Sequence, residues 1–316
     1  MEFCDLDYFL SKDKIVYLVK GYYHTSNGVF AYPVFWPDPN GSRVHPTLGY
    51  YTKNVNDFNE KIFIIHPEYR HDFIPRNTPL VKREDITQVF HPTEKVPQFL
   101  EKKENNVWHK LFEYFIKESG MPRSDIGIFG SYLVDLNRDR TEKHIKDVDF
   151  AIYGIDNLYK IKNTIEKLLK NFGFSHISKE HILYHKDKFG KYFDSSINSF
   201  EKTLANKWSS IQIAPGLLAT LRFVYKPNEI PPNPVTTPID SPIKVEGVVI
   251  EDIGTNFIPR VFKIRTKTGA YTVVTYFWGF QSCVKNGDIV LVTGNLHKNN
   301  TVVSVDAASH GIRILS

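Results

Sequence analysis

The chain has 316 residues, of which 41% are hydrophobic and 14% aromatic, and it carries a formal net charge of +5 at pH 7. This length predicts two or three domains, and this composition permits well-formed cores. The sequence pI of about 8.9 is compatible with a nucleotide or nucleic-acid partner, although a basic balance alone does not require one.

Only two cysteines are present, Cys4 and Cys283, and their number excludes a disulfide framework and a thiolate metal site. Such sparse cysteine usage favours a reducing compartment. No apolar run approaches the length of a membrane helix, and the acidic N-terminus lacks the basic start and apolar core of a signal peptide. The sequence therefore predicts a cytoplasmic protein with no membrane partner, and it leaves the oligomeric state open.

Residues 1–97 are predicted to form a β-rich module. Strands are expected over 14–20, 29–36 and 61–65, with a turn signal at Asn27-Gly28 before the second strand. Five histidines are spread through the module: His24, His45, His66, His71 and His91. They could form a zinc site, but no two have the close spacing of metal motifs and no cysteine accompanies them. Solvated or hydrogen-bonded histidines are therefore the alternative.

The middle of the chain, residues 98–226, alternates between helical and extended patterns. An apolar stripe at helical spacing predicts a helix over 105–119, and Gly120 is expected to end it. The following elements are predicted in this order: a strand over 126–129, a short helix over 132–138, a strand over 148–153, a helix capped by Asp156 and ending near Gly173, helices over 179–193 and 199–208, and strands over 210–213 and 218–225 with a turn at Pro215-Gly216.

Two short motifs stand at the first two of these strands. Gly130-Ser131 ends the first strand, and Asp147 and Asp149 open the second. Side chains alternate along a strand, so the two aspartates point to the same face. Two carboxylates on one face repel each other unless a positive charge lies between them, and Mg²⁺ or Mn²⁺ prefers such oxygen ligands. Gly130 lets the backbone approach a phosphate and Ser131 can donate a hydrogen bond to it, so the pair of motifs predicts a phosphate-and-metal pocket.

This constellation resembles the nucleotidyltransferase motif of the DNA polymerase β superfamily, a Gly-Ser pair followed by Asp-x-Asp, and the resemblance covers residues 105–226. It implies a polymerase β-like α/β core. It also implies that Asp147 and Asp149 are catalytic and bind Mg²⁺ or Mn²⁺, while Gly130 and Ser131 bind the triphosphate of an NTP.

A second resemblance extends over most of the chain. Segments 20–24, 30–43 and 79–86 resemble the N-terminal region of a family of mostly archaeal predicted nucleotidyltransferases. That resemblance implies the same order of an N-terminal region before the Gly-Ser and Asp-x-Asp core, and it implies no particular substrate.

The spacer from Ser131 to Asp147 is longer than the superfamily pattern. It carries basic residues, of which Arg138, Arg140 and Lys146 are predicted nucleotide contacts. A charged but solvated loop is the alternative.

The resemblance to the superfamily also implies a third carboxylate on a later core strand, but the strands predicted over 210–213 and 218–225 contain no Asp or Glu. Gln212 and Arg222 are the nearest polar strand residues, and Asp194 lies outside both strands. Two interpretations follow. Either the site recruits Asp194, Gln212 or another group as its third ligand, or the site is incomplete and binds a nucleotide or nucleic acid without efficient transfer.

A proline-rich linker over 227–242 is predicted to separate the core from a small C-terminal β-barrel over 243–316. Six strands are expected, over 243–253, 260–266, 271–277, 288–296, 301–305 and 312–315. The segment 287–294 resembles part of an OB-fold, which commonly binds single-stranded nucleic acid on aromatic side chains in a basic groove. The predicted contacts are Lys263, Arg265, Tyr276 and Trp278. The alternative is that the aromatics are core and the cations are solvated.

The sequence thus predicts an α+β multidomain protein with a β-rich N-terminal module, a polymerase β-like nucleotidyltransferase core and an OB-like barrel. The expected function is metal-dependent transfer of NMP from NTP to a hydroxyl acceptor, with RNA favoured. The alternative is a catalytically impaired polymerase β-like protein that binds nucleic acid.

Overall fold

A computed structural model of the chain describes residues 3–54, 60–72, 78–102, 106–138, 147–178, 183, 199, 202–203, 207–234, 239–299, 301–307 and 309–316. Of the helix predicted over 179–193 only residue 183 is described, and of the helix predicted over 199–208 only residues 199, 202–203 and 207–208 are described. No helix in the described part of the chain is long and apolar enough to cross a membrane.

The described chain is a strand-rich mixture of α and β structure. It contains four α-helices: α1 (Glu60–Ile65), α2 (Val96–Leu100), α3 (Asn106–Ser119) and α4 (Ile155–Asn171). The N-terminal sheet contains β1 (Tyr8–Ser11), β2 (Val16–Val19), β3 (Gly28–Pro37), β4 (Arg43–His45), β5 (Gly49–Lys53), β6 (Leu80–Lys82), β7 (Ile86–Phe90) and β9 (Asn137–Arg138). The central sheet contains β8 (Ile126–Phe129), β10 (Asp147–Tyr153), β11 (Ser175–His176), β12 (Ser210–Ala214) and β13 (Leu217–Val224). The C-terminal strands are β14 (Ile239–Glu251), β15 (Arg260–Arg265), β16 (Ala270–Thr275), β17 (Ile289–His297), β18 (Val302–Val305) and β19 (Gly311–Ile314).

The central sheet separates an apolar face from the face that carries the aspartates. Its strand order is β11-β12-β13-β10-β8, and β10 runs parallel to β13 but antiparallel to β8. Alternation along β10 directs Val148, Phe150 and Ile152 into a buried cluster with α3 and α4. Asp147 and Asp149 are consequently on the opposite face. The predicted helix at 105–119, with its stop at Gly120, and the predicted core strands are confirmed.

The N-terminal sheet packs on the aspartate-bearing side of the central sheet. Its order is β7-β1-β2-β3-β5-β4-β9, with β6 paired to β3. One buried cluster joins Tyr8 and Phe35 of this sheet to Phe129 and Ala151 of the central sheet. The central sheet therefore lies between helices on one side and a second sheet on the other. This arrangement brings residues of the first 53 positions close to Asp149.

The C-terminal strands form a closed five-stranded barrel. Strands β14, β15, β16, β18 and β17 pair in that order, β17 pairs back to β14, and β19 adds to β17. Only the β16–β18 pairing within this barrel is parallel. Alternate residues such as Phe262, Val273 and Val303 fill its core. The six predicted strands are confirmed, and β14 begins at Ile239, inside the stretch predicted to be linker.

Three local predictions were wrong. The segment 61–65 is helix α1, not a strand. Ile62 and Phe63 are buried while Ile64 and Ile65 are exposed, which is a helical pattern, and a short apolar run does not distinguish the two structures by periodicity. Helix α4 is preceded by Gly154, not capped by Asp156, and its first N–H donates to the Glu229 carboxylate.

The helix predicted over 132–138 is also absent. A short 3-10 turn over Gly130–Tyr132 leads instead into β9, which pairs with β4 of the N-terminal sheet. Asp135 has a φ of 52°, which interrupts helical geometry, and Leu133 and Leu136 are fully buried. Tertiary burial of these leucines therefore overrides their helix propensity.

The histidines of the N-terminal module are held by separate hydrogen bonds. His24 accepts from the Phe30 N–H, His71 contacts the Thr78 carbonyl, and His91 contacts Asp7. This arrangement agrees with the hydrogen-bonded interpretation. Neither Cys4 nor Cys283 forms a disulfide.

Candidate active site

Asp147 and Asp149 lie at the start of β10 and project from one face of the central sheet. Asp147 is exposed, whereas Asp149 is partly buried. Asp149 pairs with Phe129 of β8, the residue immediately before Gly130. Because β8 and β10 are adjacent and antiparallel, the end of β8 meets the start of β10. The Gly-Ser turn and the two aspartates are therefore brought together by one strand pairing.

Gly130 contacts the Asp149 carboxylate closely. Its φ is +80°, a left-handed conformation that favours glycine, and a Cβ added to it would lie 2.9 Å from Asp149 Oδ2. The turn is closed by the Leu133 N–H donating to the Gly130 carbonyl (3.2 Å) and the Leu136 N–H donating to the Ser131 carbonyl (2.9 Å). The backbone angle therefore favours glycine here, and an added methyl group would force the Asp149 carboxylate to shift.

Replacing Gly130 by alanine is expected to lower the free energy of unfolding by about 1–3 kcal/mol, since a non-glycine residue is strained at positive φ and the new methyl group collides with Asp149. Thermal or urea unfolding measures the change. Gly216→Ala is the matched control, because Gly216 has a φ of +77° but nothing within 4 Å of an added Cβ. Equal losses in the two variants would show that the contact with Asp149 adds nothing.

Tyr8 of the N-terminal sheet lies next to the Gly-Ser turn and Asp149 on their buried side. Its side chain is only 2% exposed. Burial raises the pKa of its hydroxyl, the Asp149 carboxylate raises that pKa further, and the backbone N–H of Gly130 lowers it. Tyr8 is therefore a neutral hydroxyl between the Gly-Ser turn and Asp149. No sequence motif marks it, because it is more than a hundred residues from either.

Burial, and to a lesser extent repulsion from the neighbouring Asp147 carboxylate, raises the pKa of Asp149 to about 6. Three cations oppose this shift: Lys53, Arg222 and Lys207. A partly buried carboxylate beside a second carboxylate is the environment in which a bound cation lowers the energy of the charged form. The pair can therefore supply oxygen ligands to one divalent ion.

Lys207 and Arg222 form the cationic side of the site. Arg222 pairs with Ala151 in the β10–β13 register and so emerges on the same face as Asp149. The Arg222 Cζ is 5.9 Å, and the Lys207 Nζ 6.0 Å, from the centroid of the Trp278 ring. Burial lowers the pKa of Lys207 to about 7, and repulsion from Arg222 contributes in the same direction. Trp278 thus lies at the junction of the barrel and the central sheet.

The position expected for a third carboxylate is occupied by uncharged residues. Leu218 pairs with Asp147 and Thr220 with Asp149 on the adjacent strand β13. Gln212 pairs with Leu218 from the far side, which places it two strands, roughly 10 Å, from Asp147. Among the described residues, no group of three His, Cys, Asp or Glu side chains could hold a metal ion. Asp194 lies outside the described residues.

The predicted basic contacts of the long spacer are only partly described. Arg138 belongs to β9 and pairs through its backbone with Arg43 of β4. Arg140 and Lys146 lie outside the described residues, so their prediction as nucleotide contacts stays a prediction.

The four residues predicted to bind nucleic acid lie in three different environments. Lys263 is exposed and paired with Glu251 at 2.7 Å, and Arg265 is exposed on the same strand. Tyr276 is only 6% exposed and belongs to a buried cluster, so its ring is part of the packing. Trp278 alone lies beside the aspartate-bearing site.

Comparisons with protein-family models, curated proteins and solved structures found no match to the chain.

Proposed function

We propose that this protein is a metal-dependent nucleotidyltransferase that transfers NMP from an NTP to a hydroxyl acceptor, with RNA as the favoured acceptor. The observation that carries the proposal is the contact between the Gly130 turn and the Asp149 carboxylate, with Asp147 on the same face. The glycine turn is a backbone that a phosphate can approach closely. The two carboxylates are oxygen ligands for the metal ion that would accompany that phosphate.

Asp147 and Asp149 would hold Mg²⁺ or Mn²⁺, which supplies charge neutralisation to the reacting phosphate. Two carboxylates suit one such ion, because hard cations of this kind commonly complete their shell with water and substrate phosphates. Gly130 and Ser131 would bind the triphosphate through a backbone N–H and a hydroxyl. The acceptor oxygen then bonds to the α-phosphorus, the bond to pyrophosphate breaks, and the hydroxyl proton passes to solvent.

The barrel is the candidate holder of the acceptor. Numbered along the chain, its closed order is 1-2-3-5-4-1 with strands 3 and 5 parallel, which supports the OB-like assignment. Barrels of that kind bind single strands by stacking bases on aromatics. Trp278, half-buried beside Arg222 and Lys207, is the aromatic of this barrel best placed to guide an acceptor toward Asp149.

The second candidate is a protein that binds nucleotide or nucleic acid without turnover. Thr220 beside Asp149, where a carboxylate would complete a two-metal site, favours this alternative. The cations Arg222 and Lys207 on the same side favour it as well, because they attract phosphate but do not hold a metal.

The test incubates the full chain with each labelled NTP, an RNA pool, and Mg²⁺ or Mn²⁺. We expect labelled RNA and released pyrophosphate, both lost in EDTA and restored by excess metal. A protein that is inert under every combination, yet shifts RNA with a steep salt dependence, would support the binding function and overturn the transferase.

A further inference from the structure

The junction between the central sheet and the barrel is built around Trp278. The Gln281 side-chain amide donates to the Ser209 hydroxyl and to the Leu221 carbonyl, both at 3.1 Å. Ser209 follows Lys207 by two residues, and Leu221 precedes Arg222. These two hydrogen bonds therefore tie the segment that follows Lys207, and the backbone just before Arg222, to the turn that carries Trp278.

Within the part of the chain that the structure describes, the two cations at this junction have no ion pair. Within the described residues, neither Lys207 nor Arg222 makes a salt bridge or hydrogen bond to a carboxylate. The negative charge that interacts with both of them is that of the Asp149 carboxylate. Arg260, the third cation nearby, is already engaged, since its guanidinium donates to the carbonyls of Thr255 and Phe277. Cations withdrawn from water without a paired anion are costly, and a bound anion would remove that cost.

We propose that Lys207 and Arg222, held against Trp278, form an anion site that binds the phosphate groups of a nucleotide directly. Arg222 lies two residues from Thr220, which stands where a third carboxylate would have held a second metal. A guanidinium is suited to two parallel hydrogen bonds with a phosphate, and an ammonium adds a compact charge. The pocket would then combine one metal on Asp147 and Asp149 with two side-chain cations. The identity of the ligand as a nucleotide rests on the proposed function, whereas the anion site does not.

The experiment measures binding of inorganic tripolyphosphate, and separately of ATP, to the full chain by calorimetry in EDTA. Wild-type protein is expected to bind both. Arg222→Ala and Lys207→Ala are each expected to weaken binding by about tenfold or more, the loss of one charge-assisted hydrogen bond. Asp149→Asn is expected to tighten metal-free binding, because it removes the opposing negative charge. Lys244→Ala, which removes an exposed cation of the barrel strand β14, should leave the affinity unchanged.

If Arg222→Ala fails to fold, Arg222→Lys replaces it in the test, because lysine keeps the positive charge. Arg222→Lys is expected to bind tripolyphosphate with an affinity severalfold lower than that of wild type. Equal affinities in wild type, Arg222→Lys and Lys207→Ala would overturn the anion site, as would weaker binding in Asp149→Asn. Tripolyphosphate binding with these dependences but no NMP transfer would keep the anion site and reject the transferase. NMP transfer by a protein that shows no metal-free binding would reject the anion site and keep the transferase.

Discussion

Asp149→Asn is expected to lower the rate of NMP transfer by about 10³-fold, the upper end of the effect of removing one electrostatic group from an active site. The same substitution is expected to stabilise the folded protein. Burial and Asp147 raise the pKa of Asp149 from 3.8 to about 6 in the folded state. The carboxylate is therefore held in an environment that disfavours its charged form, and an amide of the same shape is not penalised.

The pH dependence of this gain follows from the direction of the shift. Because the folded pKa is raised, the folded state holds the proton more tightly than the unfolded chain. The stability that this provides is fully present below pH 3.8 and is lost as the pH rises through about 6. In EDTA, Asp149→Asn should gain on the order of 2 kcal/mol over wild type at pH 8 and about half of that at pH 5.

Asp147→Asn is the matched control for both effects. Asp147 is exposed, so its replacement should abolish transfer without a comparable gain in stability. Added Mg²⁺ should raise the melting temperature of wild type more than that of either variant. An Asp149→Asn protein that is less stable than wild type at pH 8, or that keeps full transfer activity, would contradict the role given to this carboxylate.

Arg260→Met is expected to lower the free energy of unfolding by about 3–5 kcal/mol, as is usual when a buried charge network loses one member. Arg260 is 1% exposed and donates to four backbone carbonyls: Thr255 (2.9 Å), Phe277 (3.1 Å), Phe257 (3.4 Å) and Trp278 (3.4 Å). Methionine fills similar space but donates no hydrogen bond, so these carbonyls lose a partner. The buried carboxylate of Asp5 also loses a neighbouring positive charge.

Urea unfolding of Arg260→Met should be compared with that of Arg265→Met. Arg265 lies on the same strand but is exposed, and its replacement should change stability by less than about 0.5 kcal/mol. A second consequence concerns Trp278, whose carbonyl is one of the four acceptors. Loosening its turn should also weaken binding of tripolyphosphate. A loss below about 1 kcal/mol in Arg260→Met would show that the carbonyls find other partners.

The strands of the central sheet and their two motifs could be predicted from local patterns in the sequence. The stripe over 105–119 matched α3, and short apolar runs at 126–129 and 148–153 matched β8 and β10. Errors fell where a short apolar segment satisfied two periodicities, as at 61–65, or where burial of Leu133 and Leu136 overrode propensity.

By itself the sequence determined that Asp147 and Asp149 share a face, and that a glycine turn stands at the end of the preceding strand. Both follow from the two-residue period of a strand, which is a local property. Tertiary structure alone decided that Tyr8, Lys207 and Trp278 surround that pair. These residues come from the N-terminal sheet, the approach to β12 and the barrel. Contacts between such distant segments depend on how layers pack, and packing between layers has no period that a single sequence displays.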